Sequence, residues 1–70
     1  MTEPLLLDLV EWVAARPRSY RETMEAWRTS CPRLTIWEDA VNGHFVERRD
    51  ESVVVTGEGL RLLRANGRPG

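Results

Sequence analysis

Between Leu34 and Arg48 the chain changes its periodicity once, and that change limits what it can build. Leu34, Trp37 and Val41 recur at i, i+3 and i+7 with Ala40 beside them, the spacing of one helix face. Asn42-Gly43-His44 interrupts the spacing, and Phe45-Val46-Glu47-Arg48 continues as an alternating strand. One of the three interrupting residues is expected in the left-handed conformation, which glycine adopts freely and Asn or His tolerate better than most. A helix that ends abruptly in a short strand must pack as a unit, with Trp37 seated on neighbouring elements.

Two starts are open for this helix. Pro32 suits a first turn and predicts a helix over residues 32–42. Thr35-Ile36-Trp37-Glu38 is a capping-box pattern and would begin it about a turn later. The earlier start is preferred because it brings Leu34 onto the Trp37 and Val41 face.

Upstream, Thr2 can cap a first helix with Glu3 and Pro4 in its first turn, and Pro17 should end that helix near Arg16. Leu5, Leu9, Trp12 and Val13 share one face, and Leu6, Leu7, Val10 and Ala14 widen it. Either this is a broad core helix, or part of the face packs on a second copy in a homodimer. Ser19-Tyr20-Arg21-Glu22 is a capping box, S-x-x-E, opening a second helix to about Thr29 with Tyr20, Met24 and Trp27 inward. Thr29-Ser30-Cys31-Pro32 reads as a turn, with Cys31 as a small apolar plug.

Downstream, residues 45–49 and 52–56 read as two strands, with Phe45 and Val53 to Val55 supplying the β-propensity. Thr56 caps a last helix, Glu58 sits near its positive end, Leu60, Leu62 and Leu63 give it an apolar side, and Gly67 stops it. The order is α-α-α-β-β-α, an α+β class. Residues 1–66 form one domain near the lower size limit for a self-sufficient core, and residues 67–70 form a flexible tail. Three tryptophans offer such a small core large apolar area.

From Ser19 to about Leu63 the pattern resembles the winged helix-turn-helix domain of small prokaryotic transcriptional regulators of the multiple-antibiotic-resistance and arsenical-repressor kind. Met24, Leu34 and Trp37 match the apolar positions that pack that motif's two helices. Ala40 to Val46 looks like the exit of its recognition helix, and Val55-Thr56-Gly57-Glu58-Gly59-Leu60 like the exit of a short two-stranded wing. Arg28 stands where the motif's turn often has glycine. The resemblance implies a helix entering the DNA major groove and a wing on the backbone or minor groove. It assigns DNA contact to Arg28, Arg33, Thr35, Asn42, Arg48 and Arg49. Arg33 would meet phosphate or guanine, Asn42 adenine, and Arg48 and Arg49 phosphate.

Charge sets a second reading beside the first. All ten basic residues are arginine, and the formal net charge is −1. Residues 16–33 carry a net +3 and residues 60–70 another +3, whereas residues 34–59, the supposed reading helix and wing, carry −4. Duplex DNA presents about one negative charge per 1.7 Å of axis, so an acidic reading helix opposes it. The positive stretch before and into the second helix could position a phosphate backbone. The alternative is a winged helix used for protein–protein association through Ile36, Glu38 and Asp39.

Other classes have less support. His44 is the only histidine and Cys31 the only cysteine, so neither a metal cluster nor a disulfide is expected, and His44 reads as structural. No carboxylate pair or triad stands at usable spacing, so neither an enzyme nor a cofactor is expected. Gly57 and Gly59 lack the longer loop and lysine of a phosphate loop. The N-terminal apolar run is broken by Asp8 and has no basic lead-in, so it reads as neither signal peptide nor membrane span. The expectation is a cytoplasmic protein without membrane contact.

Overall fold

The computed structural model describes residues 4–27 and 31–68, with the side chains of 31–35 outside that description. The Thr2 cap, the turn at Thr29 and Ser30, the Cys31 plug and the Leu34 contact all lie outside it. The elements run α1 (Pro4–Ala15), β1 (Arg18–Ser19), α2 (Tyr20–Trp27), α3 (Cys31–Asn42), β2 (Val46–Arg49), β3 (Ser52–Val55) and α4 (Gly57–Ala65). The result is a small α+β fold with four helices and one antiparallel sheet of order β1-β3-β2.

The strand β1 corrects the expected order. Arg18 pairs with Val53 and Ser19 with Ser52, while on the other edge Arg48 pairs with Val53 and Arg49 with Ser52. The hairpin is thus two strands of a three-stranded sheet rather than a free flap. Both outer strands pair with Ser52 and Val53, and of these two Val53 is the buried one. The hairpin turns through Asp50 and Glu51, with Asp50 left-handed at φ 54°. The third helix takes the earlier of its two possible starts.

α1 is the core helix. Leu6, Leu7, Leu9, Val10 and Val13 are all buried, and the helix packs against α3, α4 and β3. Most of its broad apolar face is therefore covered within one chain, while Leu5, Trp12 and Ala14 stay partly buried. The deepest large side chains are Leu9, Leu63, Val10, Val13 and Val53. The tryptophans sit at the margin instead, half-buried, with Trp12 edge-on to Trp27 at 6.3 Å and Trp37 edge-on to Tyr20 at 6.0 Å.

α3 is turned from its expected face. Ile36 and Ala40 are buried, Trp37 is half-buried, and Val41 is 39% exposed. The helix carries two apolar stripes, Ile36–Ala40 and Trp37–Val41, centred about 100° apart around its axis. The first stripe is the one turned to the core, with Ala40 fully buried. α2 likewise buries Thr23 deepest, because its hydroxyl donates to the Ser19 carbonyl at 2.9 Å; Tyr20, Met24 and Trp27 are half-buried around it.

Caps follow the sequence closely. The Glu22 N–H donates to Ser19 Oγ at 2.9 Å and the Ser19 N–H reaches Glu22 Oε1 at 3.4 Å, a reciprocal capping box. α3 ends with Phe45 N–H on the Ala40 carbonyl and His44 N–H on the Val41 carbonyl, both at 3.0 Å. His44, not Gly43, takes the left-handed position at φ 61°. At Gly43 a Cβ would lie 2.8 Å from Cδ2 of Phe45, so the Phe45 ring would have to shift to admit one. α4 ends the same way, with Gly67 at φ 72°, its N–H on Arg64 and the Arg68 N–H on Leu63. That turn carries Arg68, placed in the tail from sequence, back to α1, where its Nη1 lies 2.7 Å from Asp8 and 3.1 Å from Glu11. Those hydrogen bonds, Asp8 first, raise the guanidinium pKa above its ordinary value.

At its start, α4 is fastened to the end of α3. Thr56 Oγ1 donates to the His44 carbonyl and accepts from the Gly59 N–H, while the Thr56 N–H donates to Phe45. A Cβ on Gly59 would collide with the Phe45 carbonyl oxygen and stand 2.8 Å from Val55 Cγ2, whereas one on Gly57 meets only Arg61 Nη2 at 3.7 Å. The prediction is that Gly59→Ala destabilises the fold by ~2 kcal/mol or more, and that Gly57→Ala is close to neutral. Urea unfolding of both variants checks this, and equal stabilities would contradict the close approach of α4 to the Phe45 backbone.

Candidate nucleic-acid interface

The side chains singled out from sequence fall into three groups. Arg28 lies outside the described residues, and so do the Arg33 and Thr35 side chains. Asn42 is exposed at the last turn of α3. Arg48 and Arg49 are exposed on β2. The proximity of Arg33 or Thr35 to the others is therefore a matter of backbone order alone, whereas Arg48 has a defined setting.

That setting is built at the junction of the wing-like hairpin with α2. The Tyr20 N–H donates to the Glu51 carbonyl at 2.6 Å, tying the hairpin tip to the first turn of α2. The Arg48 guanidinium carbon lies 3.7 Å from the centroid of the Tyr20 ring, in cation–π contact. Arg48 Nε donates to the Asp50 carbonyl at 3.0 Å, which fixes the plane of the group. Tyr20 in turn stands edge-on to Trp37 of α3 at an interplanar angle of 66°. A line of contacts therefore runs from α3 through α2 to the hairpin. Ser19, Tyr20, Arg21, Arg48 and Glu51 enclose a shallow cleft of ≈ 260 Å³ at this junction.

The remaining charges are largely answered within the chain. Arg49 Nε pairs with Glu47 at 3.0 Å on the same strand, and Arg21 lies 3.6 Å from Glu25. Arg16 pairs with Glu22 at 3.3 Å. Such exposed pairs contribute little to stability and can be exchanged for other partners. Arg18 is different. Its Nε and Nη2 both donate to the Trp12 carbonyl, at 3.1 and 2.9 Å, and its guanidinium covers the Trp12 ring at 4.1 Å. Its side chain is only 12% exposed. The positive stretch expected to position phosphate thus loses Arg18, which closes the C-terminal end of α1 instead.

On α3, Glu38 and Asp39 are both exposed. Ile36, assigned to an acidic contact surface from sequence, is buried and leaves that surface, because it faces the core with Ala40. Among the described residues, Val41 is the exposed large hydrophobic one. His44 is exposed and left-handed, with its carbonyl bound to Thr56. Among the described residues, no group of three or more His, Cys, Asp or Glu is placed to hold a metal, and no helix is long and apolar enough to cross a membrane.

Sequence reasoning placed Tyr20 in the core and missed it as the seat of Arg48. The two are 28 residues apart, and only the β1–β3 pairing brings α2 to the hairpin. Nothing local in either stretch carries that signal. No family model, no curated protein and no solved structure matches this chain.

The separation of Arg18 from Arg48 is testable. Arg18→Ala is predicted to lower stability by ~1–3 kcal/mol, through loss of two hydrogen bonds, the ring contact and packing of its stem. Arg18→Lys should recover little, since an ammonium cannot present the fork. Denaturant unfolding gives the comparison; an Arg18→Ala variant as stable as the parent would contradict the structural role.

Proposed function

We propose that this chain is a winged helix-turn-helix module that binds double-stranded DNA, as a small transcriptional regulator or accessory factor acting in the cytoplasm. In this reading α3 is the helix offered to the major groove and the β2–β3 hairpin is the wing. The observation that carries it is the Arg48–Tyr20–Trp37 line. It seats a hairpin arginine on α2 and, through Tyr20, links it to Trp37 of α3, so helix and wing are held as one surface. Asn42 is exposed at the end of α3, where it can meet base edges, and Arg49 is exposed on the hairpin, where its surface pair with Glu47 can be exchanged for phosphate.

Glu38 and Asp39 oppose this binding, and their presence gives the proposal a quantitative signature. With Arg48 and Arg49 as the phosphate contacts on the described surface, the dependence of log K on log salt should have a slope of about −2. That is shallow for a DNA-binding protein. Relief of like charge should strengthen binding, so Glu38→Gln with Asp39→Asn is expected to tighten it by ~3-fold or more at low salt.

A second reading rests on a specific feature of α3. Exposed Val41 beside Glu38, with Asp39 on the next flank, suits a basic partner protein with an apolar anchor. Fluorescence anisotropy with a labelled mixed-sequence duplex, at several salt concentrations, separates the two. The first reading expects salt-sensitive binding that the Glu38→Gln, Asp39→Asn variant strengthens. No binding even at low salt overturns it and leaves the partner-protein reading.

A further inference from the structure

The contact between Tyr20 and Arg48 has a function under the reading above, on which this inference rests. We propose that Tyr20 is a positioning residue, holding Arg48 so that its outer edge receives one backbone phosphate of duplex DNA in the cleft between α2 and the hairpin.

Several features converge there. Tyr20 fixes the hairpin twice, through its N–H on the Glu51 carbonyl and through its ring beneath Arg48. The Arg48 Nε is engaged by Asp50, and its two terminal amino groups have no protein partner among the described residues. A guanidinium lying flat on an aromatic ring keeps those groups at its rim, where they can meet two oxygens of one phosphate. The face on the ring is shielded from water, and the group loses less rotamer freedom when the phosphate arrives. Arg21 adds a second cation to the same cleft, and its exposed pairing with Glu25 is weak enough to exchange. Glu51 is the one carboxylate lining the cleft, so the described lining carries a net positive charge. Arg49 makes the contrast. It sits next in the strand, has Glu47 for a partner and has no described ring beneath it.

The test compares Tyr20→Phe, Tyr20→Leu, Arg48→Ala and Arg48→Lys, each binding the same labelled duplex across a salt series. Tyr20→Phe keeps the ring and should bind within about 2-fold of the parent. Tyr20→Leu and Arg48→Ala should each weaken binding by ~3- to 10-fold, and the double variant should be no weaker than Arg48→Ala alone. Arg48→Ala should also make the salt slope shallower by about 1. Arg48→Lys, which keeps the charge and loses the fork, should keep the slope and still lose affinity. It guards against a Tyr20→Leu chain that fails to fold. Parent binding with full affinity retained in Tyr20→Leu, or additive losses in the double variant, overturns the positioning role while leaving DNA binding intact. Arg48→Lys matching the parent overturns the two-oxygen contact. Absence of parent binding at low salt overturns the DNA reading and this inference together.

Discussion

Val53 is the residue on which the arrangement turns. It is fully buried in the middle strand, opposite Arg18 on one side and Arg48 on the other. An isolated two-stranded hairpin is marginal in water, and a third strand with an apolar face changes that. Here the third strand is only Arg18–Ser19. Those two residues lie between the end of α1 and the first turn of α2, so the pairing ties the hairpin to both. α1 then covers the sheet with Val10 and Val13 among its buried residues, and Leu63 of α4 completes the core. For a chain of this size, sharing one buried residue among three strands and the helix layer makes efficient use of few apolar side chains.

The setting of Arg48 follows from that pairing. Without β1 beside β3, Tyr20 would not reach Glu51 or Arg48. With it, an aromatic residue placed at the start of α2 by a capping box becomes the floor of a cleft that opens onto the hairpin. The arginines accordingly divide into two kinds. Arg18 and Arg68 bind groups of α1, a carbonyl in one case and two carboxylates in the other, and hold the fold together. Arg48 rests on a ring with its outer edge open, the geometry expected of a residue that meets something else. The charge of a segment read from sequence does not distinguish these kinds, because it counts cations and not their partners.

What was legible in the sequence is what local chemistry decides. The Ser19–Glu22 box, the Thr56 cap, the break after Asn42, the hairpin and the stop at Gly67 all depend on residues a few positions apart. What was not legible depends on partners distant in the chain. Two residues have no periodicity, so β1 could not be read. α3 offers two apolar stripes, and the choice of Ile36–Ala40 over Trp37–Val41 belongs to the packing of the core, where α1 lies against α3. The width of α1 suggested a second copy, and most of that width is covered by α3, α4 and β3 of the same chain. Of the candidate contact residues, Arg48 gained a setting that its sequence neighbours did not announce, and Ile36 lost its place on the surface for the same tertiary reason.

The claim beneath all of this is that the hairpin and the body are one sheet joined at Val53. Nuclear Overhauser contacts in solution test it most directly. The account predicts cross-strand backbone contacts from β3 to both sides, Val53 to Arg18 and Val53 to Arg48, together with slow exchange of the Tyr20 amide bound to Glu51. Contacts on the Arg48 side alone, with a Tyr20 amide exchanging as in an open chain, would contradict it.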